Sequence, residues 1–389
     1  MRELPSTMLV VRRHLEELTG PHGIYQHATG STPDLSFGTC TDDVARSLTV
    51  DLLHGEEIGW RLVAPSAIRS LRYLREAFDE GTGRFRNLRA DDGTWTDERG
   101  SEDAHGRAML ALAETTLRAP DEGIRRSAAR LVFQASPAAA ELRFPRAIAS
   151  ALIACSILAR VATRADESAR DRARGLVPLS LGAFLADRLG DLFAGAAGDR
   201  QWPWPEYAVT YEGVLLPQAL IVAGRWTGRT SLEEMGLAVL DWLIAAQVDG
   251  DRFHPIGNRG WWVRGQPAAR YDQQPIEATA MILAAEAAVD RTGDRRYVDA
   301  AEAAFAWFLG RNDLGIPVAD PHRGACRDGL SERHLNDNEG AESTLMWLLA
   351  VERMRRLRAR IGAGEVDQSA RGAAVRRSGR GHASAYART

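Results

Sequence analysis

Hydrophobic residues recur along most of this chain at the three- and four-residue spacing of amphipathic helices. Alternation with a period of two is scarce, and no turn dipeptide joins two β-branched runs. The pattern predicts an all-α fold of twelve helices, at about 6–19, 41–55, 60–79, 102–118, 121–136, 145–163, 169–189, 206–226, 231–247, 273–293, 295–310 and 338–360. Gly175 and Pro178 interrupt the seventh helix, where a kink or break is expected.

The links between these helices alternate in length. Most links that leave an even-numbered helix are short, as at 55–59 and 227–230. Those that enter one are mostly long, at 20–40, 80–101, 190–205, 248–272 and 311–337, while the link into the sixth helix, 137–144, is shorter. Six helix pairs joined in this way predict an (α/α)6 toroid, with even helices inside and odd helices outside. The long loops would gather on one face, where the inner helices begin.

The composition of the helices agrees with this assignment. The sixth and tenth helices are rich in small residues and apolar on nearly all sides, as a helix packed all round should be. The fifth, over 121–136, carries Arg125, Arg126 and Arg130 on a polar face. A helical-repeat solenoid is the alternative, but no repeat of about 34 or 40 residues is visible.

Composition changes only near the C-terminus. Residues 361–389 are rich in Arg, Gly and Ala, a composition typical of disorder. We therefore expect one toroid domain over 1–360, followed by a disordered tail.

The charge and cysteine content exclude several classes of protein. The 389 residues are 45% hydrophobic with a net charge of −3, which indicates a globular protein and argues against a nucleic-acid binder. The chain has no lysine, so Schiff-base, pyridoxal-phosphate and P-loop chemistry are excluded. Three cysteines without a CxxC pair predict neither a disulfide framework nor a zinc site. No signal-peptide core or membrane-spanning run is visible, and a cytoplasmic location is expected.

Polar residues cluster where five of the six inner helices begin. These clusters lie at 38–46, 101–107, 202–207, 269–277 and 336–344. Each acid taken singly is explained by helix capping, since Thr41 and Ser101 are good N-caps and acids complement the helix dipole. Capping does not require the Arg, His and Gln that accompany the acids. Together the clusters predict a binding or catalytic site at a shared mouth.

The ligand that these residue types suit is a sugar. Five of the ten tryptophans fall in the long loops, where an indole can stack on a sugar ring, although packing of each loop onto the rim is the alternative. Carboxylates, amides and guanidinium groups would bind the hydroxyls. The expected substrate-binding residues are His27, Asp42, Arg46, His105, Arg107, Trp204, Tyr207, Asn258, Trp261, Asp272, Gln273, Glu277, Glu339 and Glu342.

A nest of carboxyls fits glycosidic cleavage, which needs one protonated and one ionised carboxyl group. Asp43 and Asp103, in first turns of helices, are expected to be ionised. Glu206, framed by Trp204 and Tyr207, is expected to have the raised pKa of the acid. The sequence thus predicts a glycoside hydrolase that acts on a short oligosaccharide or glycoside without metal or cofactor.

Two other functions remain open. A sugar epimerase or isomerase would use histidines, with His105 and either His254 or His27 as the acid–base pair. No HExxH or close His pair occurs, which argues against a zinc enzyme. The other alternative is a non-catalytic sugar-binding partner of a glycosyltransferase.

Several motifs resemble a bacterial (α/α)6-barrel family with a glycosidase-like, six-hairpin toroid. The matching segments are 23–27, 38–46, 103–107, 272–277, 310–315 and 339–344, and the similarity covers about 8–355. Family members occur alone or attached to a glycosyltransferase domain, so the resemblance implies a sugar-metabolism enzyme and a glycosyltransferase as a possible partner. Unsaturated glucuronyl hydrolases share the wider fold and use paired aspartates placed similarly to Asp43 and Asp103. Thr39 and Val44 stand where the family usually has Tyr and Asn, and these departures are expected to alter a subsite rather than abolish activity.

Overall fold

The computed structural model describes residues 9–164, 179–196 and 198–364. Its helices are α1 Arg13–Glu17, α2 Thr41–Ile58, α3 Trp60–Ala77, α4 Glu102–Arg118, α5 Glu122–Ala139, α6 Pro145–Arg164, α7 Leu179–Ala196, α8 Leu215–Thr227, α9 Thr230–Gln247, α10 Pro275–Thr292, α11 Arg295–Phe308 and α12 Ala341–Gly362. The expected kink at Gly175 and Pro178, and the expected tail from residue 365 onward, lie outside the described residues. No helix in the described parts is long and apolar enough to cross a membrane.

The even-numbered helices form a closed inner ring. Helix α2 packs on α4, and the contacts continue through α6, α8 and α10 to α12, which returns to α2. Helices α3, α5, α7, α9 and α11 each pack on the inner helix that precedes them, and α1 contacts α12. The fold is an (α/α)6 toroid. The fold class predicted from the alternating links is confirmed.

Small residues allow the inner helices to approach closely. A Cβ on Gly106 of α4 would lie 2.8 Å from the Ala147 carbonyl oxygen of α6, so the two helix backbones approach closely here. The inner helices are apolar on most sides, and α6 buries an unbroken run from Ala147 to Ala159. Packing density of this kind excludes larger side chains at the contact.

Helix caps agree with the sequence in part. The Ser101 hydroxyl accepts a hydrogen bond from the Ala104 amide at 3.0 Å, as predicted for an N-cap. Thr41 was expected to cap α2 but is its first helical residue, and the N-cap position belongs to Cys40. The Thr41 hydroxyl instead donates to the Arg86 carbonyl at 2.5 Å. It therefore ties α2 to the loop that precedes α4.

Short strands join the long loops to one another. They are β1 Thr19–Gly20, β2 Gly23–Ile24, β3 Ala28–Thr29, β4 Thr32–Pro33, β5 Thr39–Cys40, β6 Phe78–Asp79, β7 Arg84–Phe85, β8 Leu88–Arg89, β9 Ala208–Val209, β10 Val248–Asp249, β11 Arg252–Phe253, β12 Trp262–Val263, β13 Ala319–Asp320 and β14 Ala325–Cys326. Most pair within one loop, all antiparallel: β1 with β2, β3 with β4, β6 with β7, β10 with β11, and β13 with β14. Two pairs connect different loops, β5 with β8 and β9 with β12. These connections form a collar around the end where the inner helices begin.

One helix boundary differs enough to matter for the site. The eighth helix was predicted from residue 206, but α8 begins at Leu215. Pro203 and Pro205 disfavour helical backbone in the residues before them, and strand β9 keeps the following residues extended. Residues 210–214 therefore lie in the loop at the mouth rather than inside a helix.

Candidate active site

Charged side chains from all six inner helices, or from the residues just before them, meet at the mouth of the ring. We call this set the mouth network: Asp42, Asp43 and Arg46 of α2, Asp103 and Arg107 of α4, Arg146 of α6, Tyr211 and Glu212 before α8, Glu277 of α10, and Glu342 of α12. Of these, the sequence predicted all except Arg146, Tyr211 and Glu212. The toroid brings them together because every inner helix begins at this face.

Arg107 connects two carboxylates in the mouth network. Its Nη2 lies 2.5 Å and its Nη1 3.3 Å from the two oxygens of Glu212, and its Nε lies 3.1 Å from Asp42 Oδ1. A fork of this kind holds a carboxylate in a fixed orientation. Burial raises the pKa of Asp42, and the negative charges of Asp43 and Asp103 raise it further. The positive charges of Arg107 and Arg46 oppose this effect without outweighing it. For Glu212, burial opposes ionisation, but Arg107 outweighs it and lowers the pKa.

Arg46 makes a second bridge across the mouth network. Its Nη1 donates to Asp43 Oδ1 at 2.8 Å, and its Nη2 lies 2.9 Å from Glu342 Oε2. The other oxygen of Asp43 accepts the Cys40 thiol at 3.1 Å. Burial raises the pKa of this thiol well above its usual value, so Cys40 packs and donates as a neutral group. Both oxygens of Asp43 are therefore occupied by protein donors.

Asp103 keeps one oxygen free. Its Oδ2 accepts a hydrogen bond from the Tyr211 hydroxyl, while its Oδ1 has no hydrogen-bond partner among the described residues. The Tyr211 ring lies 6.4 Å from the half-buried ring of Trp261 and 4.8 Å from the Arg146 guanidinium carbon. Asp103 thus combines a position fixed by Tyr211 with a buried acceptor that has no partner among the described residues.

Glu277 lies beneath Glu212. Its Oε1 accepts the Glu212 backbone N–H at 2.7 Å, and Glu212 has φ = +50°, a conformation that residues other than glycine rarely adopt. Burial, with the adjacent charge of Glu212, raises the pKa of Glu277 to about 8. The mouth network therefore places Glu277, whose raised pKa favours the protonated form at neutral pH, beside Glu212, whose pKa is lowered. Such a separation of pKa values lets one carboxyl serve as an acid and another as a base.

A cavity continues from the mouth network down the middle of the ring. Its volume is about 690 Å³, within the range of ligand sites in proteins. Small and aliphatic side chains such as Ala45, Ala111, Ser150, Ile221 and Ala280 line its middle. The inner ring thus encloses a space of the size that small-molecule binding sites have.

Most of the loop tryptophans do not lie where the sequence analysis expects them to stack on a sugar. Trp204 is buried against Phe193, and Trp202 packs edge-on against both Trp242 and Trp262. These indoles pack the loops against the outer helices, which agrees with the structural role given as the alternative to sugar stacking. Of the loop tryptophans expected at the ligand, Trp261 is the one beside the mouth network.

Two further expected ligand residues have mainly structural contacts. His105 is fully buried beside Phe85, and burial lowers its pKa to about 3. Gln273 is also fully buried, and its amide accepts from Trp307 at 2.8 Å and donates to Asp313 at 2.7 Å. The structure brings neither into contact with the mouth network.

The remaining expected residues lie on the rim, each with its own partner. Glu206 is ion-paired with Arg146 at 3.1 Å rather than enclosed in an apolar pocket between Trp204 and Tyr207. Asp272 pairs with Arg259 at 2.9 Å, Glu339 with Arg323 at 3.0 Å and Arg327 at 3.1 Å, and His27 contacts Asn338 at 2.8 Å. Tyr207 and Asn258 are exposed.

Sequence reasoning missed four residues near the mouth. Tyr211 and Glu212 were placed inside the predicted eighth helix, and Arg146, in the first turn of α6, has no acidic neighbour in sequence to mark it. The fourth, Asp328, accepts hydrogen bonds from Ser343 and Asn338, and burial with the charge of Glu342 raises its pKa to about 6. Within the described residues, no group of three or more His, Cys, Asp or Glu is arranged to hold a metal ion.

No protein-family model and no curated protein matches this sequence. Solved structures do share the fold. A sugar epimerase from a ruminal bacterium has a TM-score of 0.65 at 12% identity, covering 89% of this chain and 98% of the epimerase. A D-mannose isomerase gives 0.63 at 12% identity over 91% and 99%.

A third neighbour is a GH76 α-1,6-mannanase of Salegentibacter sp. HEL1_6, in complex with α-1,6-mannotriose. It is an inactive variant in which two consecutive aspartates are changed to asparagine. Its TM-score is 0.57 at 11% identity, covering 89% of this chain and 98% of the mannanase. At these identities the likeness shows the toroid fold and leaves the reaction to the residues of the site.

Proposed function

We propose that this protein is a carbohydrate-active enzyme, and that it hydrolyses a glycosidic bond in a short oligosaccharide or glycoside. The support comes from a carboxyl-rich mouth above a 690 Å³ cavity, on a fold shared with proteins described as a sugar epimerase, a mannose isomerase and a mannanase. Trp261 and Tyr211 supply rings beside the carboxyls, suited to the apolar face of a sugar.

One observation carries the proposal: burial raises the pKa of Asp42, and the charge of Asp103, whose Oδ1 has no hydrogen-bond partner among the described residues, adds to this effect. The raised pKa of Asp42 suits a general acid that protonates the leaving glycosidic oxygen. Asp103, whose buried Oδ1 has no hydrogen-bond partner among the described residues, is the proposed partner that activates water or attacks the anomeric carbon. In the mannanase variant, the changed residues are also consecutive aspartates, as Asp42 and Asp43 are here.

The other members of the network position this pair. Glu277 anchors the backbone of Glu212, Glu212 holds the Arg107 fork, and Arg107 Nε contacts Asp42. Asp43, occupied on both oxygens, orients Arg46 rather than reacting. Glu206, the acid expected from sequence, is ion-paired with Arg146 and is replaced by Asp42 in this scheme.

The test is hydrolysis of a panel of aryl glycosides and manno-oligosaccharides, followed by the appearance of new reducing ends. Asp42→Asn and Asp103→Asn should each lower kcat by roughly 10²- to 10⁴-fold, the range of general acid–base catalysis. Asp92→Asn, on an exposed loop outside the mouth network, should leave it unchanged. Wild-type rates in both mouth variants would refute the assignment.

A sugar epimerase or isomerase is the second candidate, favoured by one contact. His254 Nδ1 lies 2.7 Å from Asp313 Oδ1, and Asp313 is itself held by Arg270 at 2.8 Å. A histidine oriented by a carboxylate can act as a general base. Deuterium uptake from solvent into the sugar, without new reducing ends and lost in His254→Gln, would decide for this reaction. Sugar binding without either reaction would instead support a non-catalytic partner of a glycosyltransferase.

A further inference from the structure

The central cavity ends in a group of arginines far from the mouth network. It follows α4 from Arg107 to Arg118, a depth of about 16 Å at the rise of an α-helix. At the lower end its wall includes Arg118 of α4, Arg225 of α8, and Arg353 and Arg356 of α12. Arg46, Arg107 and Glu212 line the cavity at the mouth end, whereas its base is lined by these arginines together with Glu114, Glu286 and Asp290.

Arg353 is the member of this group that its surroundings satisfy least. Its side chain is 15% exposed, and its Nε is buried without a hydrogen-bond partner. Its terminal nitrogens reach Glu286 at 3.5 Å and Glu114 at 3.7 Å, beyond a good hydrogen bond. Arg353 Nε is thus a buried donor without an acceptor, and the terminal nitrogens have only long ion pairs, which leaves this cavity-lining guanidinium able to take a further acceptor.

The helix dipole does not explain this position. Arginine near the end of a helix complements the partial negative charge there, and Arg118 and Arg225 fit that explanation. Arg353, however, lies more than two turns before α12 ends at Gly362, where the dipole no longer acts.

The acids nearby are shared rather than matched one to one. Glu114 is paired with both Arg118 and Arg353, and Glu56 with both Arg118 at 3.0 Å and Arg356 at 2.5 Å. Burial and the positive charges of Arg118 and Arg353 lower the pKa of Arg356. The guanidinium groups thus repel one another, and an anion between them would relieve that repulsion.

We propose that the base of the central cavity is a binding site for a small oxyanion, with Arg353 as its anchor and Arg118, Arg225 and Arg356 around it. The ligand class is inorganic phosphate or the phosphate of a phosphorylated sugar, since guanidinium groups donate to both in the same way. A cavity of 690 Å³ exceeds what phosphate alone requires and also has room for the sugar. The site shares this cavity with the mouth network, but its anchoring residues are not members of that network.

The test is isothermal titration calorimetry on the full chain with inorganic phosphate and with glucose 6-phosphate. We expect both to bind and to compete, and a tighter glucose 6-phosphate would identify the sugar phosphate as the ligand. Arg353→Gln should weaken binding by about tenfold or more, the effect of removing a charged hydrogen-bond donor, and Arg225→Gln should weaken it as well. The control is Arg126→Gln, on the outer helix α5, whose side chain is 74% exposed.

Three results would overturn the proposal. The first is that neither probe binds at concentrations up to about 10 mM, a range that detects even a millimolar Kd. The second is unchanged affinity in the Arg353 and Arg225 variants, and the third is equally weakened binding in the Arg126 control. If circular dichroism shows that Arg353→Gln does not fold, Arg225→Gln decides alone. Arg225 is exposed, and its contact within the described residues is the Asp290 carbonyl at 3.3 Å.

Discussion

Replacing Glu277 by Gln should make the protein more stable at high pH than the wild type. Glutamine keeps an oxygen that can accept the Glu212 N–H, now at 2.7 Å, but cannot ionise. The wild-type carboxyl, 3% exposed, has its pKa raised from 4.5 to about 8. The variant therefore removes a buried group that resists ionisation while retaining the contact that fixes Glu212.

The size of the effect follows from that pKa. Ionising Glu277 costs about 5 kcal/mol more in the folded protein than in the unfolded chain. Between pH 4.5 and about 8 the folded state holds the proton that the unfolded state has lost, so wild-type stability falls as the pH rises. The loss is up to about 1.4 kcal/mol per pH unit, reaches about 3 kcal/mol at pH 7, and levels off above pH 8.

Urea unfolding at pH 5, 6, 7, 8 and 9 measures this directly, as the free energy of unfolding of Glu277→Gln minus that of the wild type. We expect the difference to grow from pH 5 to 8 and then to stay constant. The control is Glu122→Gln on α5, whose side chain is 66% exposed and which should show no such slope. A difference that is flat or falls with pH would refute the raised pKa and, with it, the separation of carboxyl roles in the mouth network.

Three further predictions concern packing, burial and the arginine fork. Gly106→Ala should lower the free energy of unfolding by about 1–3 kcal/mol, because the α4–α6 contact leaves no room for a methyl group. Gly195→Ala, with open space around it, should raise the free energy of unfolding by about 0.5–1 kcal/mol. Urea unfolding measures both. His105→Leu should leave turnover unchanged. It should also reduce the loss of stability as the pH falls from 6.5 toward 3, because burial lowers the pKa of this histidine in the folded protein to about 3. At pH 4.5 the free energy of unfolding of the variant, measured with urea, should exceed that of the wild type by roughly 2–3 kcal/mol. Arg107→Lys should lower kcat/KM by roughly 10²-fold in steady-state assays, since one ammonium group cannot hold both oxygens of Glu212; an unchanged value would show that the fork is dispensable.

The sequence by itself determined the architecture and the end of the molecule at which the charged residues gather. Hydrophobic periodicity depends only on residues close together in the sequence. The helices and the alternating lengths of their links could therefore be predicted without knowledge of the tertiary structure. In a ring of antiparallel helix pairs the inner helices all begin on one face. Such helices carry in their first two turns several residues of the mouth network, namely Asp42, Arg46, Asp103, Arg107 and Glu277.

Tertiary structure decided which of the candidate residues lie in the mouth network and which pack elsewhere. A tryptophan in a loop carries the same sequence signal whether it faces a ligand or the core, and Trp204 faces the core. The pKa of Glu277 depends on burial and on Glu212, 65 residues away in the chain, and the partners of Asp42 and Asp103 likewise come from other helices. Burial and long-range charge set a carboxyl's proton affinity, and neither is encoded in the residues next to it.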